Sequence, residues 1–209
     1  MPDWEEDSPT LRRNLEAVLA AIETRTYSAR PLPSFEDARL WHIHAMNGLI
    51  ADKPEYIGRF RGEAGLEGLW VAVEHNLGTP PEGVSANLLE FEDQLRQKVV
   101  EWDAVVPIGG KPDARQLNGV IELCAWAHAE WVRIHPFVNG NGRTARLWAN
   151  SLAMRYGLPP FIRLRPRPNH GYNNAGEAAM RGGWTATAEV FERLLMQYVE
   201  EEVGPLGRE

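Results

Sequence analysis

This chain holds a single cysteine, Cys124, so it can form no disulfide within itself. It has no run of 18 apolar residues and no signal-peptide h-region, which predicts neither a membrane span nor a leader and places the protein in the cytoplasm. Positive charge is in deficit as well: 22 Lys and Arg against 29 Asp and Glu leave a formal net charge of −7. Such a field opposes nucleic acid and anionic membranes, so neither is expected as a partner. Histidines spaced for structural zinc are also missing. His128 and His135 share a helix face but sit about 10.5 Å apart along the axis, beyond one ion's reach. His42 and His44, two apart, point to different faces of a helix.

With 209 residues, 44% of them hydrophobic, the chain can bury one sizeable core, and no break in composition divides it. A single domain over 1–209 is expected. Cys124 reads as a small core residue; as a nucleophile it would need His128, four residues on, to activate it. Arg163, Arg165 and Arg167 make a local basic stretch that Pro166 and Pro168 keep extended. It reads as a solvated loop, with the wall of a nucleotide cleft as the alternative.

The most informative stretch is His135-Pro136-Phe137-Val138-Asn139-Gly140-Asn141-Gly142-Arg143-Thr144-Ala145-Arg146. Glycines at 140 and 142 allow successive N–H groups to point into one concavity, and the helix that begins here adds free amides and the positive end of its dipole. An anion fits there. Arg143 and Arg146, three apart, share one face of the first turn, and guanidinium forks suit polyphosphate oxygens. His135 has the unperturbed pKa, about 6.5, that allows proton abstraction near neutrality. Asn141 could fix the loop or a phosphate. The helix runs on through a nearly all-apolar circumference (Ala145, Leu147, Trp148, Ala149, Leu152, Ala153, Met154) to Gly157, a C′ residue, with Pro159 and Pro160 beyond. Upstream, Leu117, Ile121, Cys124 and Trp131 mark a helix that ends at His135.

This stretch resembles the signature of the Fic (filamentation induced by cAMP) domain family, His-Pro-Phe-x-Asp/Glu-Gly-Asn-Gly-Arg-x-x-Arg. The resemblance implies an all-α fold: a helical bundle around a central helix-loop-helix, with a small β-hairpin flap. It implies transfer of AMP from ATP to a Ser, Thr or Tyr hydroxyl of a target protein, with release of pyrophosphate. By that resemblance His135 is the base, Gly140, Asn141 and Gly142 form an anion hole, Phe137 anchors the loop, and Arg143 and Arg146 hold the outer phosphates. The family's magnesium ligand is Asp or Glu where this chain has Asn139. An amide oxygen lacks the charge that helps hold Mg²⁺ or Mn²⁺, so weaker metal affinity and slower transfer are expected.

Further segments fit the same frame. Ser34 is an N-cap with Asp37 three residues on, opening a helix over FEDARLWHIHAMNGLI. The segment Tyr56-Ile57-Gly58-Arg59-Phe60-Arg61 resembles the family's aromatic, glycine and basic stretch. Residues 70–75 read as half of a hairpin whose turn holds Asn76, Gly78, Pro80, Pro81 and Gly83. In the family a flap near 70–84 receives the target by strand addition. Tyr172 to Met180 reads as a helix broken by Gly182-Gly183, and a last helix carries Val190, Phe191, Leu194, Leu195, Tyr198 and Val199 on one side. The resemblance spans about 34–199. Residues 1–33, with Leu11, Leu15, Val18, Leu19 and Ile22, form a helical extension.

Many family members are restrained by a helix whose glutamate pairs with the outer arginine. The nearest match is Thr185-Ala186-Thr187-Ala188-Glu189, but Val190 stands where Gly or Asn belongs, and Glu189 reads as exposed. The alternatives are restraint by a separate inhibitory, antitoxin-like protein or no restraint at all. For function, the alternatives to AMP transfer are a weakened nucleotide- or protein-binding module of the same fold, or transfer of another phosphate-linked group.

Overall fold

The computed structural model describes residues 8–203, apart from Glu74 and His170. The ends of the expected domain, residues 1–7 and 204–209, lie outside the described residues.

Helix α1 (Pro9–Ala29) begins at Ser8, whose hydroxyl accepts from the Leu11 amide, with Pro9 at the first helical position. Helix α2 (Phe35–Ala45) opens with the expected capping box: Asp37 accepts from the Ser34 amide. It stops at Ala45, five residues before the apolar run ends, because Asn14 of α1 captures the carbonyls of Ala45 and Asn47 at 3.0 and 2.7 Å. A 3₁₀ turn covers Pro54–Tyr56. Strands β1 (Ala72–Val73) and β2 (Asn76–Leu77) pair antiparallel, Ala72 opposite Leu77 and Val73 opposite Asn76.

This corrects the expected hairpin. Val73 pairs with Asn76, so Asn76 belongs to the return strand and not to the turn; Glu74 is outside the described residues. Pro80 and Pro81 do not bend the turn. They start helix α3 (Pro81–Val105), where a proline at the first position costs no hydrogen bond. This helix had no counterpart in the sequence reading.

Helices α4 (Ala114–Ile134), α5 (Asn141–Arg155), α6 (Tyr172–Met180) and α7 (Thr185–Val203) complete the order. α4 packs against α3, α5, α6 and α7, and α1 lies on α5 and α2. Leu11, Leu15, Val18 and Ile22 of α1 join the same core as the other helices, and Leu19 packs partly against it. Trp131 of α4, Trp148 of α5 and Phe91 of α3 meet at 5.5–5.8 Å between ring centroids, with Trp41 of α2 4.7 Å from Trp148. Inside that core, the Trp131 indole N–H donates to Thr144 Oγ1 at 2.8 Å, fixing α4 against the first turn of α5.

α5 is buried around its circumference as expected, and Gly157 follows it with φ +77°. The stripe on α7 buries Val190, Phe191 and Leu195, half-buries Leu194 and Tyr198, and lets Val199 emerge. The architecture is all-α, with the two-strand hairpin beside the helix-loop-helix.

Candidate functional site

A cavity of about 460 Å³ lies over the turn between α4 and α5. His128, His135, Asn139, Gly140, Asn141, Gly142, Arg143 and Arg146 all line it, joined by Val73 of β1, Tyr172 and Glu177 of α6, and Arg167. The residues singled out in the sequence therefore converge on one place. Of the basic stretch, Arg167 reaches the cavity, whereas Arg163 pairs with Glu201 at 3.9 Å.

His135 caps α4 in the left-handed region, φ 53° and ψ 55°. A residue with a Cβ pays about 1–2 kcal/mol there, so the site must hold it in place. Its Nδ1 lies 3.0 Å from the Val132 carbonyl oxygen. Only a protonated Nδ1 satisfies that oxygen, which leaves Nε2 as the basic nitrogen. Burial pulls the imidazole pKa down to about 4, with the Arg61 charge acting the same way, so the ring is neutral at pH 7.

The turn after it is tightly specified. Phe137 is fully buried, stacked on His42 at 4.2 Å and tilted against Phe60 at 4.9 Å. The Gly58 N–H donates to His42 Nδ1 at 3.0 Å, so His42 Nε2 carries the proton and gives it to the Asn139 carbonyl at 3.0 Å. Burial lowers His42 to about 4, keeping it neutral. His42 therefore holds the loop; its position on the helix before the 56–61 segment was the signal available. Exposed His44 does not approach the site.

Gly140 takes φ +85° as the residue before α5, and a Cβ there would come within 3.1 Å of both Arg143 Nη2 and the His42 ring. The helix starts directly after it, at Asn141. No side chain caps this start; the Arg143 amide turns back to the Gly140 carbonyl at 3.0 Å, which leaves the amides of Asn141 and Gly142 for a ligand. The Asn141 side chain is not among those groups. Its Oδ1 accepts from the Phe137 amide and its Nδ2 donates to the Phe137 carbonyl, both at 2.8 Å. Arg146, 1% exposed, donates from Nη1 to the Tyr172 hydroxyl at 3.2 Å and from Nη2 to the Leu164 carbonyl at 3.3 Å. The hydroxyl lies 2.7 Å from His128 Nε2 and can donate to it, as the guanidinium only donates. His128, fully buried, is drawn to about 3, mainly by burial. Tyr172 and His128, which orient Arg146, carried no sequence signal for that task. With His128 engaged on Tyr172, burial raises the Cys124 thiol pKa well above its usual range, and Cys124 packs as a core residue.

Asn139 does not fit a metal ligand. Its one side-chain oxygen already accepts from the Gly140 amide and from Arg143 Nη2 at 3.2 Å. Among the described residues no group of three His, Cys, Asp or Glu side chains could hold an ion. Glu177 is the carboxylate lining the cavity.

No helix among the described residues is long and apolar enough to cross a membrane. The model of the Fic/DOC family matches residues 34–153. A protein adenylyltransferase Fic of Nematostella vectensis is 40% identical over 161 residues, 75% of this chain and 33% of that protein. The Drosophila melanogaster protein of the same name is 40% identical over 82 residues, 38% of this chain and 17% of its own length. The chain thus spans about a third or less of these curated relatives. Fic-1 from C. elegans superposes with TM-score 0.64 at 24% identity, covering 91% of this chain and 49% of that one. The Bartonella tribocorum BepC protein, solved with AMPPNP bound, superposes with TM-score 0.57 at 16% identity, covering 90% and 87%. These two likenesses speak for the fold.

Proposed function

Because the chain belongs to the Fic/DOC family, we propose that it is a protein adenylyltransferase, moving AMP from ATP to a Ser, Thr or Tyr hydroxyl of a target protein. The observation that carries this reading is the state of His135: neutral, with Nδ1 committed to the Val132 carbonyl, in the same cavity as an uncapped helix start and two arginines. A protein that only bound nucleotide would have no use for such a base.

In the step proposed, the target hydroxyl oxygen attacks the α-phosphorus and gives its proton to His135 Nε2. The bond from that phosphorus to the oxygen bridging the β-phosphate breaks, and pyrophosphate leaves. The backbone amides at Asn141 and Gly142 and the dipole of α5 meet the phosphate charge, with Arg143 and Arg146 on the outer phosphates. Nucleotide binding in BepC is consistent with a cleft of this kind. No step is assigned to a metal held by this protein, since Asn139 is already engaged.

The target is proposed to lie as an extended segment along the β1–β2 hairpin, where Val73 borders the cavity and Trp70 and Leu77 are exposed. Glu189 is exposed on α7 and makes no ion pair among the described residues. With Glu189 set aside, the alternatives are restraint by a separate inhibitory protein or no restraint. The engaged Asn139 oxygen favours one second reading, a slow or non-catalytic nucleotide binder.

The test is incubation with α-³²P-ATP in cell lysate beside a His135→Ala control. Labelled protein that disappears in the control is expected. Nucleotide binding without any label would overturn AMP transfer, and label from γ-³²P-ATP instead would make the protein a kinase.

A further inference from the structure

Arg61 is 1% exposed, yet it meets no carboxylate among the described residues. Burial alone draws its guanidinium down to about 10. Each of its three guanidinium nitrogens donates to a main-chain carbonyl. Nε donates to His135 at 2.7 Å, Nη2 to Ile134 at 3.0 Å and Nη1 to Leu69 at 3.3 Å, while its own backbone amide donates to Pro136 at 2.7 Å. Two of these acceptors belong to the end of α4, where the helix has run out of amides. Leu69 lies three residues before β1 and leads the chain into the hairpin.

The return from the hairpin closes on the same group. The Gly78 amide donates to the Val71 carbonyl at 3.0 Å. A Cβ on Gly78 would stand 3.2 Å from Arg61 Nη2 and 3.0 Å from His135 Cβ. One planar fork thus spans the root of the hairpin and the residue that carries the base. A lysine is a single point donor and could not meet three carbonyls in fixed directions.

We propose that Arg61 is the positioning residue of this site: its hold on Leu69, Ile134 and His135 keeps His135 left-handed and seats the hairpin and the base as one unit. The inference rests on the reading of His135 as the base. A helix end needs only water or a glycine at this position to be satisfied. Here a side chain with work to do occupies the position instead. Without the bond to its carbonyl, His135 is released towards ordinary backbone conformations, its Cα–Cβ vector turns, and Nε2 leaves the attacking hydroxyl. Arg61 touches neither substrate in this arrangement and acts through His135.

The experiment compares the parent with Arg61→Ala and Arg61→Lys in AMP transfer, in ATP affinity by calorimetry, and in ¹⁵N-histidine NMR. Expected for Arg61→Ala is a kcat lower by about a hundredfold with ATP affinity unchanged, and partial recovery on adding guanidinium ion. The His135 resonances, a single Nδ1–H tautomer in the parent, become averaged over both tautomers. Arg61→Lys falls between, without full recovery. Parental kcat in either variant overturns the proposal, as does a loss of ATP affinity that accounts for the whole effect. If Arg61→Ala does not fold, Arg61→Lys decides by its kcat and its tautomer. If the parent transfers no AMP, the functional reading fails by itself, and the NMR comparison still decides whether Arg61 sets the imidazole: unchanged spectra reject it.

Discussion

The side-chain amide of Asn141 and the main chain of Phe137 bind one another through two hydrogen bonds of 2.8 Å in opposite directions. The amide that looked able to bind phosphate or fix the loop does the second. Asn141 can offer a nucleotide only its backbone N–H. Asn141→Ala would strand a buried donor and a buried acceptor, a loss of about 2–3 kcal/mol. The melting temperature should fall by roughly 5–10 °C in differential scanning calorimetry. A variant that melts like the parent but binds ATP poorly would return the side chain to the phosphates.

Gly78 is needed for closeness. A methyl group there would press on His135 Cβ at 3.0 Å and on Arg61 Nη2 at 3.2 Å, so the hairpin would have to retreat by a few tenths of an ångström. Gly78→Ala should lower AMP transfer by about tenfold while the melting temperature moves little, since two-residue strands contribute little stability. Transfer at the parental rate would show that the hairpin and the base are not in working contact.

Asn139 lacks the charge that would let position 139 hold a divalent ion. Replacing it by Asp keeps an oxygen facing Gly140 and Arg143 and adds the charge a divalent ion requires. Titrations of Mg²⁺ and Mn²⁺ should give a half-saturating concentration about tenfold lower for Asn139→Asp, equivalent to about 1.4 kcal/mol. Superimposable titrations would mean that the ion is held by the nucleotide alone.

Three imidazoles are kept neutral by burial: His42 and His135 at about 4, His128 at about 3. The unfolded chain titrates them near 6.5, so below that pH it binds more protons than the folded protein. Their contribution to stability is complete above about pH 6.5 and is lost as pH falls towards 4. Urea midpoints should hold steady from pH 8 to 7 and drop from 6.5 to 5. As a base, His135 should work throughout that upper range, with its acid limb near pH 4. An NMR inflection near 6.5 for these rings would contradict both expectations.

Much of the site was legible because its signals are local. Ser34 with Asp37, glycine at 140, the stop at Gly157 and the bounds of α6 all follow from which residue types can cap a helix or accept a positive φ. The hairpin was legible only in outline. Prolines 80 and 81 serve a turn or a helix start equally well, and the choice falls to α3, whose Val84, Leu88, Phe91, Leu95 and Val99 bury against the core. The sequence by itself determined the helix-loop-helix, the left-handed glycine and the convergence of His135 with two arginines, because each is a matter of spacing along one chain segment. Only the tertiary structure decided that Asn141 binds Phe137, that Tyr172 and His128 orient Arg146, and that Arg61 reaches carbonyls 73 and 74 residues away. Main-chain acceptors are the same at every position, so no residue pattern announces which of them a buried side chain will meet; packing alone brings them together.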